Sequence, residues 1–248
     1  MTFPALDIAL PLALVCALAF AVETALGFGA ALITVALGSF LVDLGELLPA
    51  FVPLNLCLSL YLVSRYHRDV DRGYFLRRLL PGMALGMPVG LFVFSALDAS
   101  LLKRLFGLFV VLAASLELWR LREAAPRRAL GPAAALAMLF AGGVVHGAFS
   151  TGGPMAVYVT GRVIEDKARY RATLSALWAV LGTVLVATYA ATGRITAATG
   201  SITLILVPSI LLGMVLGEAA FRRVPVGTFR RVVFATLIVS GAMLAVRG

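Results

Sequence analysis

The residues best suited to chemistry are two titratable side chains beside glycine-rich breaks in long apolar segments. Glu23 lies just before a break at residues 27–30, and His146 lies just before a second break at residues 150–154. An ionisable group inside an apolar segment is a functional candidate by default, and a histidine can exchange a proton near neutral pH. We therefore expect Glu23 and His146 to carry protons or to contact a charged ligand.

Both residues also have structural interpretations. Glu23 would then be a buried acid that accepts hydrogen bonds from the opposing glycine loop, and His146 would be a histidine with a packing role.

A catalytic interpretation arises because Ser150 follows His146 by four positions, which in a helix would allow a Ser/His dyad. The glycines after Ser150 disfavour that helix, and a hydrolase also needs an oxyanion hole and water.

The glycine-rich breaks are predicted to bind a small anion. A helix that starts at Ala30 or Pro154 presents free N–H groups and a partial positive charge to an oxyanion. Because the predicted spans contain no Lys or Arg, an anion depends on these amides, on His146 and on the hydroxyls of Ser150 and Thr151, which alternatively cap the half-helix. The predicted contact residues are Gly27, Phe28, Gly29, Ala30, Asn55, His146, Ser150, Thr151, Gly152, Gly153, Pro154 and Trp178.

The composition requires a membrane. Hydrophobic residues make up 61% of the 248 residues and charged residues only 13%, and the mean hydropathy is +1.02. Uncharged runs at residues 79–97, 173–193 and 195–217 approach the ~20 residues of a spanning helix. The two cysteines lie in apolar segments, where a thiol packs as a small core group, so we predict no disulfide, metal or cofactor.

Charge placement predicts the orientation in the membrane. The net charge is +9, and 17 of the 21 Lys and Arg residues lie in four loops, at residues 65–78, 120–128, 162–171 and 222–231. Loops rich in Lys and Arg lie in the cytoplasm, so both termini are expected outside, and the loops are expected to meet anionic lipid. Lys103 and Arg104, beside an outer turn, are exceptions. This distribution indicates a membrane topology rather than nucleic-acid binding.

The two halves of the chain repeat each other. Glu23 and His146 lie 123 positions apart, and so do Asn55 and Trp178, for which interhelical hydrogen bonding is an alternative role. The acidic turn at residues 43–46 corresponds to a basic loop in the second half, so the charge bias inverts between the halves. Inversion is typical of secondary transporters with inverted repeats.

A helix pattern recurs as well. Pro81, Gly86 and Gly90 have the same spacing as Pro208, Gly213 and Gly217. Small residues at every fourth position predict close packing against another helix.

We predict an all-α polytopic membrane protein with two inverted-topology repeats, each a broken hairpin followed by three transmembrane helices. The second arm of each hairpin is too short for a hydrocarbon core of ~30 Å, so we expect half-helices or re-entrant segments. The first repeat covers residues 1–118, with a hairpin at 6–42 and helices at 49–64, 79–96 and 105–118. A basic cytoplasmic linker at 119–131 leads to the second repeat, 132–248, with a hairpin at 132–161 and helices at 173–192, 201–216 and 232–246.

Two clusters and the repeated Pro/Gly helices carry a family resemblance over essentially the whole chain. Residues 27–31 look like a variant of a glycine cluster, with Phe28 and Ala30 where glycine is frequent, and residues 150–154 match a second cluster. In these features the chain resembles the TauE/SafE family of sulfite exporters and organosulfonate permeases. The resemblance implies transport of a small sulfur oxyanion such as sulfite, sulfoacetate or a related sulfonate.

We therefore expect a transporter of the bacterial inner membrane, not an enzyme, that moves such an anion by alternating access. Proton coupling through Glu23 and His146 is the first expectation, and sodium coupling or facilitated diffusion are alternatives. A passive anion channel and, less favoured, an intramembrane hydrolase are the alternative functions. The expected partners are a small anionic substrate, membrane lipid and the coupling ion.

Overall fold

The fold is a bundle of membrane-length helices. A computed structural model of the protein describes residues 6–120, 130–223 and 226–247, and the regular structure in these ranges is helical. Within them, seven helices are long and apolar enough to cross a membrane. The prediction of an all-α polytopic membrane protein is confirmed. Of the basic linker predicted at 119–131, residues 121–129 lie outside the described ranges.

The helices follow the chain order with short connections. A 3₁₀ turn occupies His67–Asp69, and a π-helical segment occupies Phe75–Leu79. The helices are α1 (Leu6–Leu26), α2 (Ala30–Gly38), α3 (Leu44–Tyr66), α4 (Arg72–Tyr74), α5 (Leu80–Ala96), α6 (Ala99–Arg120), α7 (Pro132–Phe149), α8 (Gly153–Thr160), α9 (Lys167–Ala191), α10 (Ala197–Arg223) and α11 (Val226–Arg247).

The two helices that follow the glycine-rich breaks are too short to span a bilayer. Helix α2 has nine residues and α8 has eight. At about 1.5 Å rise per residue, each helix is at most about half as long as the hydrocarbon core of about 30 Å is thick. Helix α8 begins at Gly153, one residue before the predicted start, and Pro154 occupies its first turn, where a missing N–H costs nothing.

Left-handed backbone at both breaks explains why the preceding helices stop. Gly27 has a φ of 83° and Gly29 a φ of 115°, while Ser150 has a φ of 56°. A side chain disfavours this region, so glycine is the natural residue at the first break. A Cβ at Gly27 would also lie 3.1 Å from the Cα of Arg171, so α9 approaches closely there.

The longest helices pair between the two halves of the chain. Helix α5 packs against α7, α1 against α10, α6 against α11 and α3 against α9. Small residues form the crossings: Gly86 lies against the backbone of Phe140, and a Cβ at Gly213 would lie 2.5 Å from Cβ of Phe20. Because backbones approach most closely at glycine, these contacts confirm the prediction of close helix packing.

Ion pairs mark the two ends of the bundle. At one end, Arg169 Nη2 lies 3.0 Å from Asp71 Oδ2, and Lys167 Nζ donates to Phe221 O at 3.1 Å. The basic loops around residues 65–78 and 162–171 therefore lie together with the end of α10, and we call this the basic end. At the other end, Lys103 Nζ lies 2.8 Å from Asp43 Oδ1, so the exceptional charge of Lys103 is locally compensated.

Candidate functional site

The starts of the two half-helices meet at one cavity of about 20 Å³. That volume holds about one water molecule, so the cavity is closed around a space smaller than a polyatomic anion. Most of the predicted contact residues reach its wall. Its lining comprises Phe28, Gly29, Ala31, Leu32, Asn55, His146, Ser150, Thr151, Gly153, Pro154 and Trp178.

Backbone N–H groups give the cavity a partial positive charge. Helix α2 begins its hydrogen-bond ladder with Ile33 N–H to Gly29 O at 3.0 Å, so the N–H groups of Ala31 and Leu32 precede the ladder. In α8 the first such bond runs from Ala156 N–H to Gly152 O at 3.4 Å. The orphan N–H groups and dipoles of both half-helices therefore converge on the same space, as anion sites at helix N-termini require.

His146 is an unpartnered polar side chain at this cavity. It is 2% exposed, and its ring stacks on Trp178 with centroids 5.4 Å apart and planes inclined by 21°. Neither ring nitrogen has a hydrogen-bond partner among the described residues. Trp178 is itself fixed, because its Nε1–H donates to Gly27 O at 2.9 Å. A buried imidazole without a partner is costly, and a ligand in the cavity would supply one.

The Ser/His pair does not form a dyad here. Helix α7 runs through His146, and Ser150 N–H donates to His146 O at 2.7 Å as the left-handed cap of that helix. This is a backbone contact, whereas a dyad needs a hydrogen bond between the hydroxyl and the imidazole. The geometry favours ligand contact by Ser150 over nucleophilic catalysis.

Glu23 lies behind the first break rather than in the cavity wall. Its side chain is 3% exposed, and Oε2 accepts a hydrogen bond from Ala30 N–H at 3.0 Å. The Asn55 side chain interacts with the same carboxyl group, while Oε1 makes no hydrogen bond within the described part of the chain. The carboxyl group therefore connects α1, the start of α2 and α3.

Three predicted contact residues shape the cavity without lining it. Gly27 offers its carbonyl to Trp178, and the N–H of Ala30 is taken up by Glu23. Gly152 packs against the carbonyl of Gly142, which leaves no room for a side chain. These residues hold the breaks in position, so their contact with a substrate stays a prediction.

Arg171 corrects the expectation that the spans contain no Lys or Arg. It lies in the second turn of α9, a candidate span, and is only 3% exposed. Its Nη1 donates to Thr24 O at 3.1 Å and to Glu218 Oε2 at 3.2 Å. The sequence carries a signal for this position, because Asp is a favoured N-cap residue and Asp166 predicts a helix that already includes Arg171. In the structure Asp166 is the N-cap of α9 and accepts a hydrogen bond from Arg169 N–H at 2.8 Å.

Aromatic rings complete the surroundings of this arginine. The Arg171 guanidinium carbon lies 3.9 Å from the ring centroid of Phe221 and 4.3 Å from that of Tyr66. Tyr66 OH donates to Glu218 Oε1 at 3.0 Å, so the carboxylate accepts from both residues. The group of Arg171, Glu218, Tyr66 and the Thr24 carbonyl, here called the arginine bridge, ties α1, α3, α9 and α10 together at the basic end.

Fold and cavity together define a polytopic membrane protein with a cavity between paired half-helices, an arrangement typical of secondary transporters. The chain belongs to the sulfite exporter TauE/SafE family, whose model matches residues 12–244. It is similar to the probable inner membrane transporter protein TsaS of Comamonas testosteroni, with 32% identity over 167 residues that cover 67% of this chain and 69% of TsaS. No solved structure matches the chain significantly. The protein is therefore a membrane transporter rather than an enzyme.

Proposed function

We propose that this protein is a secondary transporter that moves sulfite or a small organosulfonate such as sulfoacetate across the bacterial inner membrane by alternating access. The observation that carries the substrate class is the convergence of two half-helix N-termini and an unpartnered histidine on one cavity. Among the described residues, the cavity wall contains no Lys or Arg side chain. Neutral N–H and hydroxyl donors suit a small oxyanion that must be released again. The known family supports a sulfur oxyanion as the first choice.

The closed cavity supports a carrier over a passive channel. A space of about 20 Å³ must enlarge before any polyatomic anion enters. A channel needs a continuous path in its open state, whereas a carrier passes through states in which the site is closed. We therefore assign this conformation to an occluded state of the transport cycle.

The arginine bridge supplies a barrier on one side of that state. Arg171 lies seven positions before Trp178 on α9, so the bridge stands about two helical turns from the cavity wall, toward the basic end. Opening the site toward this end requires the contacts of Arg171 with Thr24 O and Glu218 to separate. Their reformation would close the path again.

The pairing of helices supports inverted repeats. Exchanging the first half for the second turns the α1–α10 contact into the α7–α5 contact, and both contacts are present. We propose that the basic end faces the cytoplasm, in line with the positive-inside rule, and that both termini lie outside. Rocking of one repeat against the other would then alternate access.

Proton coupling is the proposed energy source. Glu23 lies one hydrogen bond from the start of α2, so a change in its charge alters the field at the cavity that the helix N-terminus faces. Sodium bound by hairpin carbonyls and Glu23 is the second candidate. An imposed gradient of either ion distinguishes the two.

The test is flux into proteoliposomes that contain the purified full chain. Sulfite, sulfoacetate and malonate are offered separately, with and without an imposed pH or sodium gradient. We expect saturable sulfite or sulfoacetate flux that follows the pH gradient, and little malonate flux. Non-saturable flux of all three anions would instead indicate a channel, and flux of malonate alone would overturn the substrate assignment.

A further inference from the structure

A second cleft, apart from the central cavity, lies at the basic end. A cleft of about 280 Å³ lies between the π-helical segment before α5, the first turns of α7 and the end of α8. It shares no lining residue with the central cavity. The cleft is large enough for part of a ligand, whereas the central cavity holds about one water molecule. We therefore considered which ligand the cleft could bind.

The wall of this cleft is apolar and reaches the protein surface. Leu139 and Val159 are buried in its floor, while Leu136 is 51% exposed and Val163 is 49% exposed at its edge. Water molecules find few hydrogen-bond partners along such an apolar wall. In a bilayer, exposed apolar residues at a groove between helices face acyl chains.

The rim of the cleft is basic. Arg77 and Arg78 are exposed on the π-helical segment, and Arg162 lies opposite them at the end of α8. Arg162 is held in place, because its guanidinium carbon lies 3.6 Å from the ring centroid of Tyr158 and its Nη1 donates to Tyr158 O at 3.3 Å. The lining contains no Asp or Glu among the described residues.

Local backbone geometry presents these arginines together. The segment Phe75–Leu79 is a π-helix. This form is rare in proteins overall, but where it occurs it is often at a functional site. Tyr74, at its start, directs its hydroxyl to Thr160 Oγ1 at 3.2 Å, which joins the segment to α8 across the cleft. The acidic neighbour Asp71 is already paired with Arg169 at 3.0 Å, so its charge is compensated away from the rim.

We propose that this cleft binds one anionic phospholipid, with the phosphate at Arg77, Arg78 and Arg162 and an acyl chain along the apolar wall. Guanidinium groups match the geometry of phosphate oxygens and are weakly hydrated, so they suit a headgroup at the membrane surface. The ligand bridges α5 of the first half to α7 and α8 of the second. It therefore stabilises the contact between the halves without touching the transported anion.

The experiment is native mass spectrometry of the full chain in detergent with added phosphatidylglycerol or phosphatidylcholine. We expect preferential retention of one phosphatidylglycerol, and a loss of roughly tenfold or more in its affinity in Arg77→Gln/Arg78→Gln. The matched control is Arg68→Gln/Arg72→Gln, which removes the same charge from exposed residues of the neighbouring loop outside the cleft. Equal retention by the cleft variant and wild type, or equal loss in both variants, would overturn the proposal.

A second variant tests the apolar half without a change of charge. Ala135→Trp fills the cleft wall from the second turn of α7, and we expect it to lower lipid retention while the melting temperature in phosphatidylcholine stays near that of wild type. Glycerol phosphate, which lacks acyl chains, is expected to give no thermal stabilisation. Stabilisation by glycerol phosphate equal to that by phosphatidylglycerol would assign the cleft to a free phosphate ester and overturn the lipid assignment.

Discussion

The carboxylate of Glu23 accepts a hydrogen bond from the backbone N–H of Ala30 at 3.0 Å. An acid near the end of one helix thereby caps the start of the half-helix that follows it. A negative charge at a helix N-terminus is stabilising, so this contact reduces the positive field that α2 presents to the cavity. We expect protonation of Glu23 to restore that field, and this would couple proton binding to anion binding.

The first prediction concerns this link. In Glu23→Gln, the side-chain oxygen still accepts from Ala30 N–H, so the break keeps its shape, but the group no longer exchanges a proton. We expect sulfite or sulfoacetate exchange to persist at equal pH on both sides, and acceleration by a pH gradient to disappear. Flux in proteoliposomes with and without the gradient measures both.

Glu46→Gln is the matched control, since Glu46 is exposed in the first turn of α3. Its gradient response should equal that of wild type. If Glu23→Gln also responds fully to the gradient, Glu23 is a structural cap and proton coupling through it is wrong.

The second prediction concerns His146. Its ring nitrogens lack partners in the closed cavity, so an anion there would gain a hydrogen bond from the imidazole. Removal of a hydrogen bond to a charged group costs about 1.5–3 kcal/mol, so His146→Ala should raise the KM for the transported anion by roughly tenfold or more. Initial rates over a range of substrate concentrations give this value.

His67→Ala is the control for this substitution. His67 is the other histidine of the chain. It is exposed at the basic end, where its Nδ1 lies 3.1 Å from Ser64 O. We expect its KM to match that of wild type. An unchanged KM in His146→Ala, with normal folding, would leave His146 a packing partner of Trp178 only.

Local signals made much of the central architecture predictable. Glycine and proline act through their own backbone, so Gly27, Gly29 and Pro154 marked the two breaks without any knowledge of the tertiary structure. The spacing of 123 between Asn55 and Trp178 predicted that both belong to one site, and both line the cavity. Their role in transport remains a prediction.

Contacts between distant residues were not predictable in the same way. The burial of Arg171 depends on Glu218 and Tyr66, which lie on other helices, and a charged residue near a predicted helix end is usually placed in a loop. The engagement of Ala30 N–H by Glu23 is likewise set by the turn between α1 and α2. Partner geometry, rather than residue type, decides such cases.

The third prediction tests helix crossing. A Cβ at Gly86 would overlap the carbonyl of Phe140, and overpacking costs about 1–3 kcal/mol or more. Gly86→Ala should therefore lower the melting temperature and separate α5 from α7. Gly200→Ala, in α10, meets nothing within 4 Å and should keep or raise the melting temperature, since alanine favours a helix over glycine. Equal melting temperatures for both variants would show that α5 and α7 pack less closely than described.

The fourth prediction concerns the arginine bridge. Arg171→Met removes the donor to the Thr24 carbonyl and one of the hydrogen bonds that Glu218 accepts. Because the Glu218 side chain is 30% exposed, we expect this loss to cost about 1.5–3 kcal/mol, the range for a hydrogen bond to a charged group. We expect a lower free energy of unfolding and faster amide hydrogen exchange at residues 24–29 and 218–221, because the barrier at the basic end opens more often.

Arg169→Gln is the matched control. Its ion pair with Asp71 has a 55% exposed arginine side chain, so the loss of this pair should cost about 0–1 kcal/mol. The double variant Arg171→Met/Glu218→Gln should recover part of the stability, since a neutral amide then replaces the carboxylate that has lost its cationic partner. A uniform increase in hydrogen exchange along the whole chain, or an effect of Arg171→Met no larger than that of Arg169→Gln, would contradict a closing role for Arg171.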